Sequence, residues 1–202
     1  MGVTDTESRR QSILEATIRV VGRQGYADTS VADLIAEAGV SRTTFYNHFR
    51  DRHECFRAAY PIVVERVLGA VAGACGDEPW LQRVRSGLDA LVGLLAAEPE
   101  LARTALVEVA VAGGEPLDRK QAALERLAQL LEPGDDVPRS RELPAGTAKM
   151  AVGAVAGLLF DEIQAGHTAD LRDWLPDLRF ALLVPYLGPR VATTESHAVR
   201  AA

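Results

Sequence analysis

The chain has 202 residues, 48% hydrophobic and 25% charged, with 22 Lys+Arg against 28 Asp+Glu for a net charge of −6. This balance suits a folded protein with room for a sizeable core, and it sets aside disordered, collagen-like and disulfide-stapled classes. No run approaches the roughly 18–20 uninterrupted apolar residues of a membrane span. The opening MGVTDTESRRQ lacks the apolar stretch of a secretory signal, so a cytoplasmic protein with no membrane partner is expected.

The elements read as helices throughout, with no sustained strand alternation, so the expected fold class is all-α. A first helix is predicted over 7–24, its buried stripe formed by Ile13, Ala16, Thr17, Val20 and Val21, and Gly25 is its left-handed stop. Thr29 or Ser30 caps a second helix whose apolar face is Val31, Leu34, Ile35 and Ala38. Gly39 ends that helix, and Ser41 caps a short third one reaching Phe49. Asp51 opens a long fourth helix to about Ala74, with Pro61 inside it expected to kink or split it. Further helices are predicted over 79–97, 100–111, 116–132, 145–165 and 171–187. The Pro- and charge-rich stretch 133–144 reads as an exposed loop, and the tail 191–202 as disordered. Cys55 and Cys75 fall on one helix about 30 Å apart, too far to pair, so both are expected to be reduced.

Charge is unevenly spread. Residues 1–60 hold eight Arg and eight acids, so the rest of the chain carries the whole −6. A negative total argues against coating nucleic acid by bulk attraction. Locally, however, Arg42, Arg50, Arg52 and Arg57, with His48 and His53, face only Asp51 and Glu54. A basic patch on an acidic body suits a site-specific DNA reader, although a solvated helix face would have the same charges.

The informative stretch is Ser30 to Phe49. Two short helices joined through Ala38-Gly39-Val40-Ser41 have the make-up of a helix-turn-helix, Gly39 permitting the reversal. At ~100° per residue, Phe45 and Phe49 fall together on the third helix and must anchor it. Thr43, Asn47 and Arg50 lie opposite, with Tyr46 alongside and Arg42, Thr44 and His48 on the flanks. Arg42 suits guanine, Asn47 adenine and Thr43 a thymine methyl. Thr44, Tyr46 and His48 suit phosphates, as do the helix starts at Thr29/Ser30 and Asp51/Arg52. A polar surface helix is the competing account.

Thr29-Ser30-Val31, Ile35-Ala36-Glu37-Ala38-Gly39-Val40-Ser41, Thr44, Tyr46, His48-Phe49 and Arg52 resemble the TetR/AcrR family of bacterial transcriptional regulators. The resemblance is specific over about residues 7–67, the family's DNA-binding domain, and elsewhere extends only to a pattern of helices. It implies phosphate-side roles for Thr44, Tyr46 and His48, and base-facing roles for Arg42, Thr43 and Asn47. Arg52 stands where the family usually has a phosphate-binding Lys. Thr43 replaces a frequent Gly, and Pro61 is uncommon in the linking helix. The resemblance further implies a homodimer on a palindromic operator in double-stranded DNA, most simply a repressor released by a small effector held in residues 68–190.

In that second half the predicted helix over 145–165 offers Gly153, Ala154 and Gly157 beside Val155, Leu158 and Phe160. With Leu178, Leu182 and Leu183 they suit a four-helix bundle across a two-fold axis, or equally an internal core. Trp80, Leu106, Phe160 and Trp174 are candidates for an effector-pocket wall, with Glu108 and Gln164 as polar anchors; plain packing explains each of them too. The effector is expected to be mainly apolar. No catalytic grouping, metal-ligand spacing or phosphate loop is visible, so no enzyme, metal or cofactor is expected. The alternative is an all-α enzyme with an interhelical cavity, which would have no use for a base-reading face on the third helix.

Overall fold

The computed structural model describes residues 2–133 and 143–197; most of the expected loop at 133–144, and the tail beyond 197, lie outside the described residues. Among the described residues every regular element is helical: α1 (Gly2–Gln24), α2 (Val31–Ala38), α3 (Arg42–His48), α4 (Arg52–Cys75), α5 (Trp80–Ala97), α6 (Pro99–Arg103), a π turn (Thr104–Glu108), α7 (Val109–Ala112), α8 (Gly114–Leu131), α9 (Thr147–Gln164), a 3-10 segment (Thr168–Trp174) and α10 (Leu175–His197). Two compact units emerge. One comprises Met1–Glu65 with Glu98–Lys120, the other Arg66–Ala97 with Gln121–Ala202.

The first unit is therefore larger than the expected domain at 7–67, because α6, the π turn and α7 pack with it. The reasons are specific contacts. The α-carbon of Gly22 sits so close to α6 that an added Cβ would lie 2.1 Å from the Glu100 carbonyl oxygen. Thr104 Oγ1 donates to the Ile18 carbonyl at 3.1 Å, and Tyr60 Oη to the Ala105 carbonyl at 3.0 Å. Lys120 Nζ donates to the Leu106 carbonyl at 3.0 Å, and burial lowers its affinity for a proton. Ile13, Leu14, Ala16, Val20 and Val21 of α1 are buried with Phe56, Ala59, Tyr60 and Val63 of α4 in this core.

Local sequence accounts for the helix ends. Ser30 and Asp33 form a reciprocal capping box on α2, and Gly39, at φ 64°, accepts the left-handed turn that follows it. Ser41 Oγ accepts the Thr44 N–H at 3.0 Å and opens α3. Gly25 turns out of α1 at φ 95°. α4 runs unbroken through Pro61, so the expected split does not occur. A ring inside a helix forfeits one hydrogen bond, and the buried residues on both sides of Pro61 hold the helix in place. By length and composition alone α4 is long and apolar enough to span a membrane, with a stretch of mean hydropathy 1.4.

The second unit is built on Trp80, Val84, Leu88, Val92 and Leu95 of α5, Val152, Val155, Leu159 and Ile163 of α9, and Leu178, Leu182 and Leu183 of α10. Trp80 Nε1 donates to the Leu131 carbonyl at 2.7 Å, and its ring meets Tyr186 edge-on at 5.1 Å. Arg179, 2% exposed, reaches Asp89 Oδ1 at 2.5 Å. α10 breaks at Gly188 (φ 73°, ψ 164°) but resumes at once as helix to His197. The expected disorder from residue 191 is thus corrected as far as 197. Pro189 starts the new helix where a missing N–H costs nothing, Ala192 and Ser196 are buried, and Glu195 pairs with Arg85.

Both cysteines lie on α4 and are free. Thr17 Oγ1 gives its proton to the Ile13 carbonyl and lies 3.0 Å from Cys55 Sγ, so the thiol donates to it. Burial pushes the Cys55 thiol up to about 12.

Candidate nucleic-acid interface

α3 has seven residues, RTTFYNH, too few to persist alone. Phe45 (0% exposed) and Phe49 fasten it to the first unit. Their rings are 5.9 Å apart, and the Arg10 guanidinium stands 5.6 Å over Phe49. With those two residues turned inward, Arg42, Thr43, Tyr46 and Asn47 are exposed together, and Arg50 follows directly after the helix, also exposed. This is the outer face that helical projection predicts. No acid stands on α3.

Within the face, the Arg42 guanidinium lies 5.7 Å from the Tyr46 ring centre, a cation–π contact that leaves its N–H fork available. Tyr46 in turn meets the Phe45 ring edge-on at 5.5 Å, which holds it upright. Thr44 is half-buried, its hydroxyl 2.8 Å from Ser41 Oγ, and His48 is half-buried beside Phe49. Ser30 is exposed at the start of α2.

Two expected contacts have other work. Thr29 is 2% exposed and donates its hydroxyl to the Gly25 carbonyl at 2.7 Å, closing the turn between α1 and α2. Arg52 donates through one nitrogen to the carbonyls of Tyr26, Ala27 and Thr29, at 3.3, 2.9 and 2.5 Å, and lies over the Tyr26 ring. It staples that turn to α4. The acids around the face are held firmly as anions. The Ser30 hydroxyl and N–H keep Asp33 below the usual carboxylate range, and Arg19 and Arg23 do the same for Glu37. The Arg50 N–H and guanidinium lower Glu54, which compensates part of the Arg50 charge.

Sequence reasoning missed Tyr26, and it offered Glu108 as a polar anchor of the effector pocket, whereas Glu108 belongs to the first unit and does not line the cavity. Glu108, 3% exposed on the π turn, accepts the Tyr26 N–H at 2.7 Å and Arg103 Nε at 2.9 Å, so it fixes the turn that precedes α2. The Tyr26 hydroxyl meets His53 Nδ1. No local signal joins positions 26 and 108, which lie 82 residues apart.

The second unit has a cavity of about 70 Å³ lined by Val71, Cys75, Arg83, Val84, Gly87, Leu88, Leu91, Leu127, Leu130, Leu131, Val152, Val155 and Leu182. None of the expected wall residues is among them. Trp80 is buried core, Phe160 is half-buried on α9, and Leu106 belongs to the π turn of the first unit. The expected dimer residues divide in two. Gly153, Ala154 and Gly157 are exposed and Leu158 is half-buried, near Met150 at 63% exposure. Leu178 (1%) and Leu182 (7%) are instead committed to this unit's own core, because α10 is apolar on two faces and this one packs inward.

Residues 13–59 match the sequence model described as bacterial regulatory proteins, tetR family. A 52-residue stretch is 35% identical to the HTH-type transcriptional regulator AcrR of Shigella flexneri, covering 26% of this chain and 24% of that protein. The chain thus matches about a quarter of that relative's length. The fold is similar to that of the fatty acid degradation regulator FadR from Bacillus halodurans, with a TM-score of 0.71 and 16% identity over 90% of this chain and 96% of the other. It is also similar to FadR from Bacillus subtilis solved in complex with stearoyl-CoA, with a TM-score of 0.70 and 15% identity over 88% of this chain and 98% of the other.

Proposed function

We propose that this chain, whose N-terminal domain is that of the tetR family of bacterial regulatory proteins, is a ligand-responsive transcriptional regulator that binds a palindromic operator as a homodimer. The observation that carries this reading is the α3 face. Arg42, Thr43, Tyr46 and Asn47 are exposed together on a helix with no acid, held by two buried phenylalanines. A helix of seven residues with that much uncompensated donor capacity contributes little to a core, and it has the size and chemistry to enter a major groove.

Arg42, Thr43 and Asn47 face bases, and Tyr46, Thr44 and His48 set register on phosphates. Ser30 adds the start of α2. The Thr29 side chain and one edge of Arg52 act indirectly, by holding the turn from which α2 starts. Repression relieved by a mainly apolar effector is the mode we assign, on the support of the apolar lining of the second unit's cavity. The test is selection of binding sites from a random duplex library. Wild-type protein will recover an inverted repeat. Arg42→Ala will cost about 1–3 kcal/mol and relax one position per half-site. Tyr46→Phe will weaken binding evenly across sequences. If both variants select and bind like wild type, α3 is not the recognition helix.

The partner surface we assign is the outer face of α9. A Cβ at Gly153 or Gly157 would meet nothing within 4 Å in its own chain, so these small residues leave room for a second copy. Gly157→Leu will therefore shift the protein from dimer to monomer in sedimentation at micromolar concentration, with operator affinity falling in parallel. Unchanged sedimentation would place the interface elsewhere.

A further inference from the structure

We infer that the cavity in the second unit is a site for a small apolar molecule bearing one anionic group, and that Arg83 holds the anion. This rests on the reading of the chain as an effector-controlled regulator and specifies the effector's chemistry. Among the described residues that line the cavity, Arg83 is the single charged one, and no acid is among them. The rest of the wall is Val, Leu and Gly, with the Cys75 thiol, whose proton goes to the Arg83 carbonyl at 3.6 Å.

Arg83 Nε is buried and has no hydrogen-bond partner. Two other guanidinium Nε atoms share that state, those of Arg85 and Arg179. Each of those side chains has a carboxylate on another of its nitrogens, Glu195 for Arg85 and Asp89 for Arg179. Arg83 makes no ion pair among the described residues. A buried donor without a partner beside an apolar wall is unfavourable, and a carboxylate accepting from the guanidinium fork satisfies it. An apolar tail then replaces solvent against Val84, Leu88, Val152 and Val155. The space of about 70 Å³ exceeds the roughly 10–15 Å³ that one water needs, so it admits a short hydrocarbon chain. A neutral apolar ligand would fill the same space and leave the cation unmatched.

Three six-carbon probes of equal length separate the possibilities: hexanoate, 1-hexanol and hexylamine, titrated into the full chain and followed by ligand-observed NMR. Hexanoate will bind at least tenfold more tightly than hexanol, and hexylamine most weakly. Arg83→Gln will bind hexanoate no better than hexanol, and Arg83→Lys will restore part of the preference. Equal binding of hexanoate and hexanol by wild type overturns the assignment, as does an Arg83→Gln variant that keeps the preference, or no binding of any probe. The duplex selection above contains no ligand, so the two readings fail separately. An operator found without an Arg83-dependent preference removes only this site. The preference found without any selected duplex removes only the regulator.

Discussion

Phe45→Ala will destabilise the first unit by about 3–5 kcal/mol, the usual range for removing a buried aromatic ring, and will abolish sequence-specific DNA binding. Phe45 is 0% exposed, and its ring contacts Phe49 and the edge of Tyr46. The seven residues of α3 gain little from their own hydrogen bonds, so the helix exists because this ring is buried. Tyr46→Ala on the same helix is the control. With 46% of Tyr46 exposed, stability will change by less than about 0.5 kcal/mol, whereas DNA affinity will fall. Chemical denaturation of both variants, paired with duplex titration, separates anchoring from recognition. A Phe45→Ala protein within 1 kcal/mol of wild type, by the same mutational scale, would show that α3 is held by something else.

Gly22→Ala has the next largest expected effect. The new methyl would overlap the Glu100 carbonyl oxygen, carbon and α-carbon at 2.1, 2.5 and 2.5 Å. All three are backbone atoms, which no rotamer change can move aside. α1 and α6 must separate, at about 3 kcal/mol, the upper end of ordinary overpacking costs. For a chain of this size that lowers the thermal midpoint by roughly 6–12 °C. Gly69→Ala is the opposite case, since Gly69 lies in α4 with nothing within 4 Å of an added Cβ. It will stabilise by about 0.5–1 kcal/mol through the lost flexibility of the unfolded chain. Calorimetry on both variants gives shifts of opposite sign, and a neutral Gly22→Ala would disprove the close approach of α1 to α6.

What was legible in the sequence follows from how local each cause is. Ser30 with Asp33, Ser41, Gly25 and Gly39 act within four residues of themselves, so the caps and turns around α2 and α3 are readable directly. The α3 face is readable for the same reason, because Phe45 and Phe49 are one helical turn apart. Thr29 misleads because a hydroxyl before a helix looks like a cap, while here it reaches back to Gly25. Leu178 and Leu182 mislead because α10 carries apolar residues on more than one side, Phe180, Ala181 and Val184 among them. Periodicity then cannot say which side meets its own core. The cavity lining comes from five separate helices, so no window of sequence contains it. Arg83 had one weak signal, a lone cation one turn from Gly87 on an otherwise apolar stripe.

The π turn at 104–108 holds one residue more than an α-helical turn of the same span, and the side chains after it are rotated accordingly. Its five residues carry Thr104 to α1, the Ala105 carbonyl to Tyr60 of α4 and Glu108 to the N–H of Tyr26. A turn of this kind lets a helix take up one extra residue without losing its continuation. It also makes chain length a constraint at this point. Deleting one residue from the turn would restore an ordinary helix and swing everything beyond by about 100°, so that Thr104 and Glu108 could no longer both reach their partners. Relatives one residue shorter here must hold the turn before α2 by a different residue, and a chimera that joins the two across this turn would inherit neither grip.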